Sequence, residues 1–234
     1  MDRDLILERY FEALINGNRP SARQIVREFA AAHPDPEKVI VELHWPVYEL
    51  IERLWRADQL SILSYNFATR LLRQLVDQTG ERLPQAPRRG RRVFACCGTS
   101  QAEELAAQMA MDVLESGGFD VAFAGGGIPG DEIIARVHET KPDVLLLFAS
   151  AASDLPEVRR VIDTLHSIGA CPNVQIVVGG GVFNRADGLA EEIGADLYAS
   201  DPLDLVDVMI NQPARRVGTA SRTVGKPKKL KKAA

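Results

Sequence analysis

Thr99, Gln101 and Glu104 follow a short apolar strand (91–96) and a glycine, Gly98, at the head of a helix. In an α/β protein such a strand-to-helix turn is where a ligand normally sits. The turn residues, Thr99, Ser100, Gln101 and Glu104, include no metal ligand of the usual kind and no run of glycines. Cys96 and Cys97 end the same strand. Successive strand residues face opposite sides, so at most one can point toward a given helix layer. They read as small buried hydrophobes, with a soft thiolate ligand as the alternative. Cys171 lies before the fourth strand, at the opposite end of the sheet from the expected ligand edge.

The four histidines, His33, His44, His138 and His166, fall in helices or at helix ends, outside the strand-end loops. His44 precedes Trp55 by about three helical turns and can face a helical interior. The glycine-rich run GGGIPGDE (125–132) lacks the Lys and Ser/Thr of a phosphate-binding loop and follows the second strand, so a nucleotide site is a weak reading. No Ser-His-Asp, Cys-His or paired-carboxylate set stands at a recognisable spacing. The chain reads as a binding protein, not an enzyme.

These residues need elements to position them. The first 80 residues carry helical periodicity: a stripe through Leu5, Ile6, Tyr10 and Leu14, then 21–32, 36–57 and 61–78. Pro46 inside the third helix is expected to kink or split it. Four amphipathic helices with short loops predict a four-helix bundle over 1–80. Residues 81–90, with two prolines and a glycine, read as a linker. Five β-α units follow, with strands at 91–96, 119–123, 143–149, 174–178 and 196–199. Helices alternate with them at 100–116, 129–139, 155–167, 185–193 and 203–211. The strands VLLLF and IVV are apolar throughout, as strands covered on both faces are. Regular alternation predicts a five-stranded parallel, doubly wound, flavodoxin-like α/β domain over 91–212. Its ligand edge would be the loops 98–101, 125–129, 150–154 and 179–184.

The chain has 234 residues, 46% of them hydrophobic and 26% charged, with a net charge of −4. No apolar run approaches a membrane span. The acidic start MDRDLILERYFEAL does not resemble a secretory leader, and three cysteines make no disulfide framework. A cytoplasmic protein without membrane contact is expected. Eight basic residues and no acid lie in 213–234, against 20 basic and 32 acidic residues in the rest. This basic tail is expected to be disordered. It either makes weak nucleic-acid contacts or folds back on the acidic body.

The passages LESGGFDVAFAG, ETKPDVLLLF, NVQIVVGGGVF and EEIGADLYASDP resemble the cobalamin (vitamin B12)-binding modules. These occur in methionine synthase, corrinoid methyl-carrier proteins and CarH-type light-sensing repressors. The resemblance covers the bundle and the α/β domain to about residue 211. It implies a corrinoid between bundle and sheet edge. Trp55 would cap its upper face, and Tyr65 and Asn66 stand where the sensor branch has Glu-His. The family's Asp-x-His-x-x-Gly motif falls on Thr99, Gln101 and Glu104, so Gln101 occupies the position of the lower cobalt ligand and the metal ligand is unknown. Glu104 stands where a glycine lets the cofactor's nucleotide tail pass. Phe148 stands near where the family often has Ser, with Ser150 close by. Gly179 and Gly180 match the pair beside which the tail lies. The implied cofactor site is therefore Trp55, Tyr65, Asn66, Gly98, Thr99, Ser100, Gln101, Ser150, Gly179, Gly180 and Tyr198. Three ligand outcomes are open: cobalamin with its own base on the metal, haem or another tetrapyrrole, or a degenerate site that binds neither. The function implied first is a corrinoid-binding sensory and regulatory module acting through a protein partner. The alternatives are a methyl carrier for a methyltransferase and a ligand-free scaffold.

Overall fold

The two most apolar strands set the centre of the molecule. β3 (Val144–Phe148) and β4 (Gln175–Gly179) are buried at every position, which only a helix layer on each face can achieve. With β1 (Arg92–Cys97), β2 (Asp120–Gly126) and β5 (Leu197–Ala199) they form a parallel sheet in the order β2-β1-β3-β4-β5. This is the five-stranded doubly wound sheet expected from the alternation of elements. The chain reverses direction between β1 and β3, so their C-terminal ends bound the switch-point crevice. In the computed structural model the described residues are 3–169 and 171–217, without the side chains of residues 101 and 102.

Helices α7 (Gly130–Thr140), α8 (Leu155–Ile168), α9 (Gly181–Asn184) and α10 (Leu189–Ile193) cover one face. Helices α6 (Gln101–Ser116) and α11 (Pro202–Asn211) cover the other. Of the helix expected over 185–193 only Leu189–Ile193 is helical; α9 lies before it, and the turn between the two ends at Gly188 with a left-handed φ of 77°. That conformation is cheap for glycine.

The N-terminal region contains α1 (Arg3–Ile15), α2 (Arg19–Ala32), α3 (Pro36–Val39), α4 (Trp45–Arg56) and α5 (Ile62–Gly80). Between α3 and α4, Ile40–His44 forms one π-helical stretch. Pro46 has no N–H to give to the preceding turn, and the wider π turn absorbs that loss without ending the helix. The bundle core, with Tyr10, Leu14, Leu43, Ile51 and Leu72, continues into Leu105, Ala106, Met109 and Val113 of α6. The opposite face of α6, Ala107, Ala110, Met111 and Leu114, packs on the sheet. One helix thus belongs to both cores and fixes the bundle over the sheet. Residues 84–89 follow the end of α6: Ser116 Oγ donates to Pro84 O, Ala86 N to Ser116 O and Arg89 N to Gly118 O.

His44 is fully buried in the bundle, with Nδ1 2.9 Å from Tyr10 Oη and Nε2 3.1 Å from Thr79 Oγ1. Burial lowers its pKa to about 3, so it is a neutral polar link between helices, away from the sheet edge. At the other end of the sheet, Val217 N donates to the buried Asp196 Oδ1 at 2.7 Å, and Gln175 Nε2 to Gln212 O and Arg215 O. The first residues of the basic tail are therefore held. Residues 218–234, where the proposed polyanion contact would lie, are outside the described residues. Among the described residues no helix is long and apolar enough to cross a membrane.

Candidate functional site

Helix α4 lies over the C-terminal ends of β3 and β4. Its residues Trp45, Tyr48, Glu49, Glu52, Arg53 and Arg56 recur at three- and four-residue intervals, one helical face. Across from them lie Ser150 after β3 and Gly180, Gly181, Asn184 and Arg185 after β4. Together with Ala106 these groups enclose a cleft of about 270 Å³. Arg185 Nη2 donates to Ser150 O at 2.6 Å and ties the two loops. Burial and the Arg56 guanidinium lower the Arg185 pKa. Burial raises that of Glu52, although Tyr65 Oη donates to its Oε1 at 2.8 Å. The cleft therefore has an aromatic side, guanidinium and carboxylate groups around it, and backbone for a floor. A larger polar groove of about 640 Å³ between α1 and α2 shares no residue with this edge.

The expected site residues fall into two groups. Ser150 and Gly180 line the cleft directly. Trp55 does not: its ring stacks on Tyr65 with centroids 4.3 Å apart and 17° between planes. It reaches the cleft only through the Tyr65–Glu52 hydrogen bond. Asn66 is exposed on α5. Tyr198 Oη donates to Asn184 Oδ1 at 2.6 Å and so supports a cleft residue. Gly98 and Thr99 line a separate cavity of about 330 Å³ on the α7/α8 side, with Cys96, Ile128, Leu147 and Asp154. Gln101 opens α6, and its side chain lies outside the described residues.

Ser100, which the sequence assigned to the site, and Glu103, which it did not, govern the β1–α6 turn. Ser100 and Glu103 form a capping box: Glu103 N donates to Ser100 Oγ and Ser100 N to Glu103 Oε2, at 3.1 and 3.2 Å. The same carboxylate reaches across the switch point and accepts the Ser150 N–H and, at 3.3 Å, the Ala151 N–H. Glu103 is only 3% exposed. Its carboxylate lies directly over Gly98, where a Cβ would collide with it. Asp154 is hydrogen-bonded beside it, and burial together with the Glu103 charge pushes Asp154 up to about 6. Glu104, by contrast, turns toward the bundle and pairs with Arg73 Nη2 at 3.2 Å.

The glycine pair also has an internal explanation. Gly180 has φ 103°, and a side chain there would strike the Ala149 carbonyl. The Phe148 ring packs against Gly179, with Cζ 3.3 Å from where a Cβ would stand. Burial pushes the Cys96 and Cys97 thiols up to about 12. Without a metal beside them, the two residues are therefore neutral thiols at pH 7. Among the described residues no group of three His, Cys, Asp or Glu could hold a metal ion.

A parallel sheet with its ligand edge under a helical cap defines a cofactor-binding class, and sequence comparison identifies it. Residues 91–207 match the B12 binding domain family, and residues 6–79 match a second family of that description. The chain belongs to the B12-binding proteins. The dimethylamine corrinoid protein 1 of Methanosarcina acetivorans is 33% identical over 94 residues, 40% of this chain and 43% of that protein. The dimethylamine corrinoid protein 3 of Methanosarcina mazei is 33% identical over 94 residues, 40% of this chain and 55% of that protein. The matched stretch is thus about half the length of these curated relatives. The monomethylamine corrinoid protein of Methanosarcina barkeri superposes with a TM-score of 0.68 at 15% identity, covering 89% of this chain and 99% of that one. At that identity the likeness is one of fold.

The residues fit the cofactor in part. The cleft under α4 offers the mixed apolar and polar lining that ligand pockets have. The β1–α6 turn does not fit a protein-ligated cobalt or an inserted nucleotide tail. Thr99 supplies no carboxylate, and Glu103 and Phe148 fill the space beside Gly98 and Gly179.

Proposed function

We propose that this chain is a corrinoid-carrying protein that presents its cofactor to a separate methyltransferase and is not itself a catalyst. The observation that carries the reading is the pairing of a B12-type cap with a B12-type α/β domain, in a chain whose sequence relatives are named corrinoid proteins. Those names support the carrier over the sensory module expected first, and they lend nothing to haem. A bound corrinoid would supply a metal centre able to accept and release a one-carbon group. The chain's own part is to bind, orient and shield. Trp45 and Tyr48 give an apolar surface against a flat ring. Arg53, Arg56 and Arg185 donate, and Glu49 and Glu52 accept, at its amide-bearing rim. The backbone of Ser150, Gly180 and Gly181 forms the floor, and glycine there admits close approach.

The cleft of about 270 Å³ is smaller than the roughly 300–1,000 Å³ of pockets for drug-sized ligands, and a corrinoid is larger than those. Binding therefore requires α4 and the loop after β4 to part. The same parting would expose the cofactor to a partner. A regulatory role keeps one supporting observation, the Thr99–Gln101–Glu104 set in place of the family's axial motif. Incubation with hydroxocobalamin followed by gel filtration tests the carrier reading. Co-elution of the corrin spectrum with the protein is expected. A colourless protein peak would defeat it.

A further inference from the structure

We infer that this chain takes a corrinoid with the nucleotide tail left outside the protein, so that its affinity is indifferent to the tail and its base. The inference rests on the corrinoid reading above. It comes from what fills the tail's path, between the β1 and β3 loops and beside the glycines after β4.

Three features fill the α6/α11 side of that path with the chain's own atoms, while the cavity of about 330 Å³ beside Gly98 and Thr99 opens on the α7/α8 side. The Phe148 ring lies on Gly179 and is buried with Ala95, Leu146, Val177 and Ala199. The space that a missing Cβ creates is already used. The Glu103 carboxylate covers Gly98 and holds the N–H groups of Ser100, Ser150 and Ala151. It thereby joins the two loops that a tail would have to separate. Gly180 is glycine because of Ala149, so its presence needs no ligand to explain it. Among the described residues no buried side-chain polar atom lacks a hydrogen-bond partner. The path therefore offers an entering tail no orphaned group to satisfy, while a buried carboxylate would have to be uncovered. The cleft under α4 lies to one side of this closure, so the corrin ring and its tail face different conditions.

Hydroxocobalamin and diaquocobinamide, which has the same ring and no nucleotide, separate the possibilities when titrated into the full chain by visible absorbance. Dissociation constants within about three-fold of each other are expected. Bound hydroxocobalamin should also keep the spectrum of its base-coordinated form. Cobinamide binding weaker by about ten-fold or more, or a base-displaced spectrum, would overturn the inference. Binding of neither would overturn the corrinoid reading itself, a distinct outcome. Phe148→Ser should tilt binding toward hydroxocobalamin by about ten-fold. A folded variant with no tilt would remove Phe148 as the block.

Discussion

Two loop clusters leave the same edge of one sheet and end differently. After β3 and β4, Ser150, Gly180, Gly181 and Arg185 stand apart from α4 and leave a cleft. After β1, the turn at Gly98–Gln101 is closed by Glu103, which holds backbone N–H groups from both sides of the switch point. The first cluster is open because its groups point toward a separate helix with long side chains. The second is tied to the loop after β3 by a single buried carboxylate that satisfies its donors, and the space beside it opens on the α7/α8 side, away from α4. Two loop clusters on one sheet edge can thus pack differently without any change of topology.

The contrast can be broken by substitution. Glu103→Ala leaves the Ser100 and Ser150 N–H groups without their charged acceptor, while the Ala151 N–H keeps Asp154 Oδ2, and should cost about 3 kcal/mol. Its neighbour Glu104 holds a half-exposed pair with Arg73, and Glu104→Ala should cost less than about 1 kcal/mol. Denaturant midpoints at neutral pH compare the two, and equal losses would refute the closure. Gly180→Ala meets both a left-handed φ and the Ala149 carbonyl, for a loss of about 2–3 kcal/mol. Gly127→Ala has a φ of 74° but nothing within 4 Å, so about 1 kcal/mol is expected there. Similar losses at the two would mean that the contact with Ala149 contributes nothing.

His44 gives a smaller, pH-dependent effect away from the edge. Its folded pKa of about 3 lies below the ordinary value of 6.5, so the unfolded chain takes up a proton first as pH falls. Stability from this residue is intact above pH 6.5 and declines below it, by about 2 kcal/mol at pH 5. Asp112 and Asp154, each raised to about 6, act in the opposite sense, gaining stability as pH falls from about 6. The His44 share is therefore read as the slope that disappears in His44→Asn. An unchanged slope would show that His44 titrates normally. Smallest is the aromatic contrast on α4. Trp45→Ala should weaken corrinoid binding by up to about ten-fold and Trp55→Ala by less than about three-fold. The reverse order would restore Trp55 as the ring-facing residue.

Much of this architecture was legible in the residues. The runs VLLLF and IVV demanded a covered parallel sheet, and the β-α alternation gave its ligand edge. The cap followed from four helical stripes. Pro46 marks the place where the expected third helix is interrupted, by the π stretch Ile40–His44 between α3 and α4. The site was less legible, for two physical reasons. Trp45 and Trp55 lie ten residues apart on one helix and point about 80° apart. Periodicity shows that difference but not which of them faces the sheet. The Ser100–Glu103 capping box can be read locally. Its second role requires the Ser150 and Ala151 N–H groups, more than forty residues away, which only the β1–β3 pairing brings within reach.

The most direct measurement is amide hydrogen exchange with and without hydroxocobalamin. Slower exchange in residues 45–56 and 180–185, with 98–104 unchanged, is expected if the ring sits in the cleft and the β1 turn stays closed. Protection centred on 98–104, with α4 unaffected, would contradict that placement.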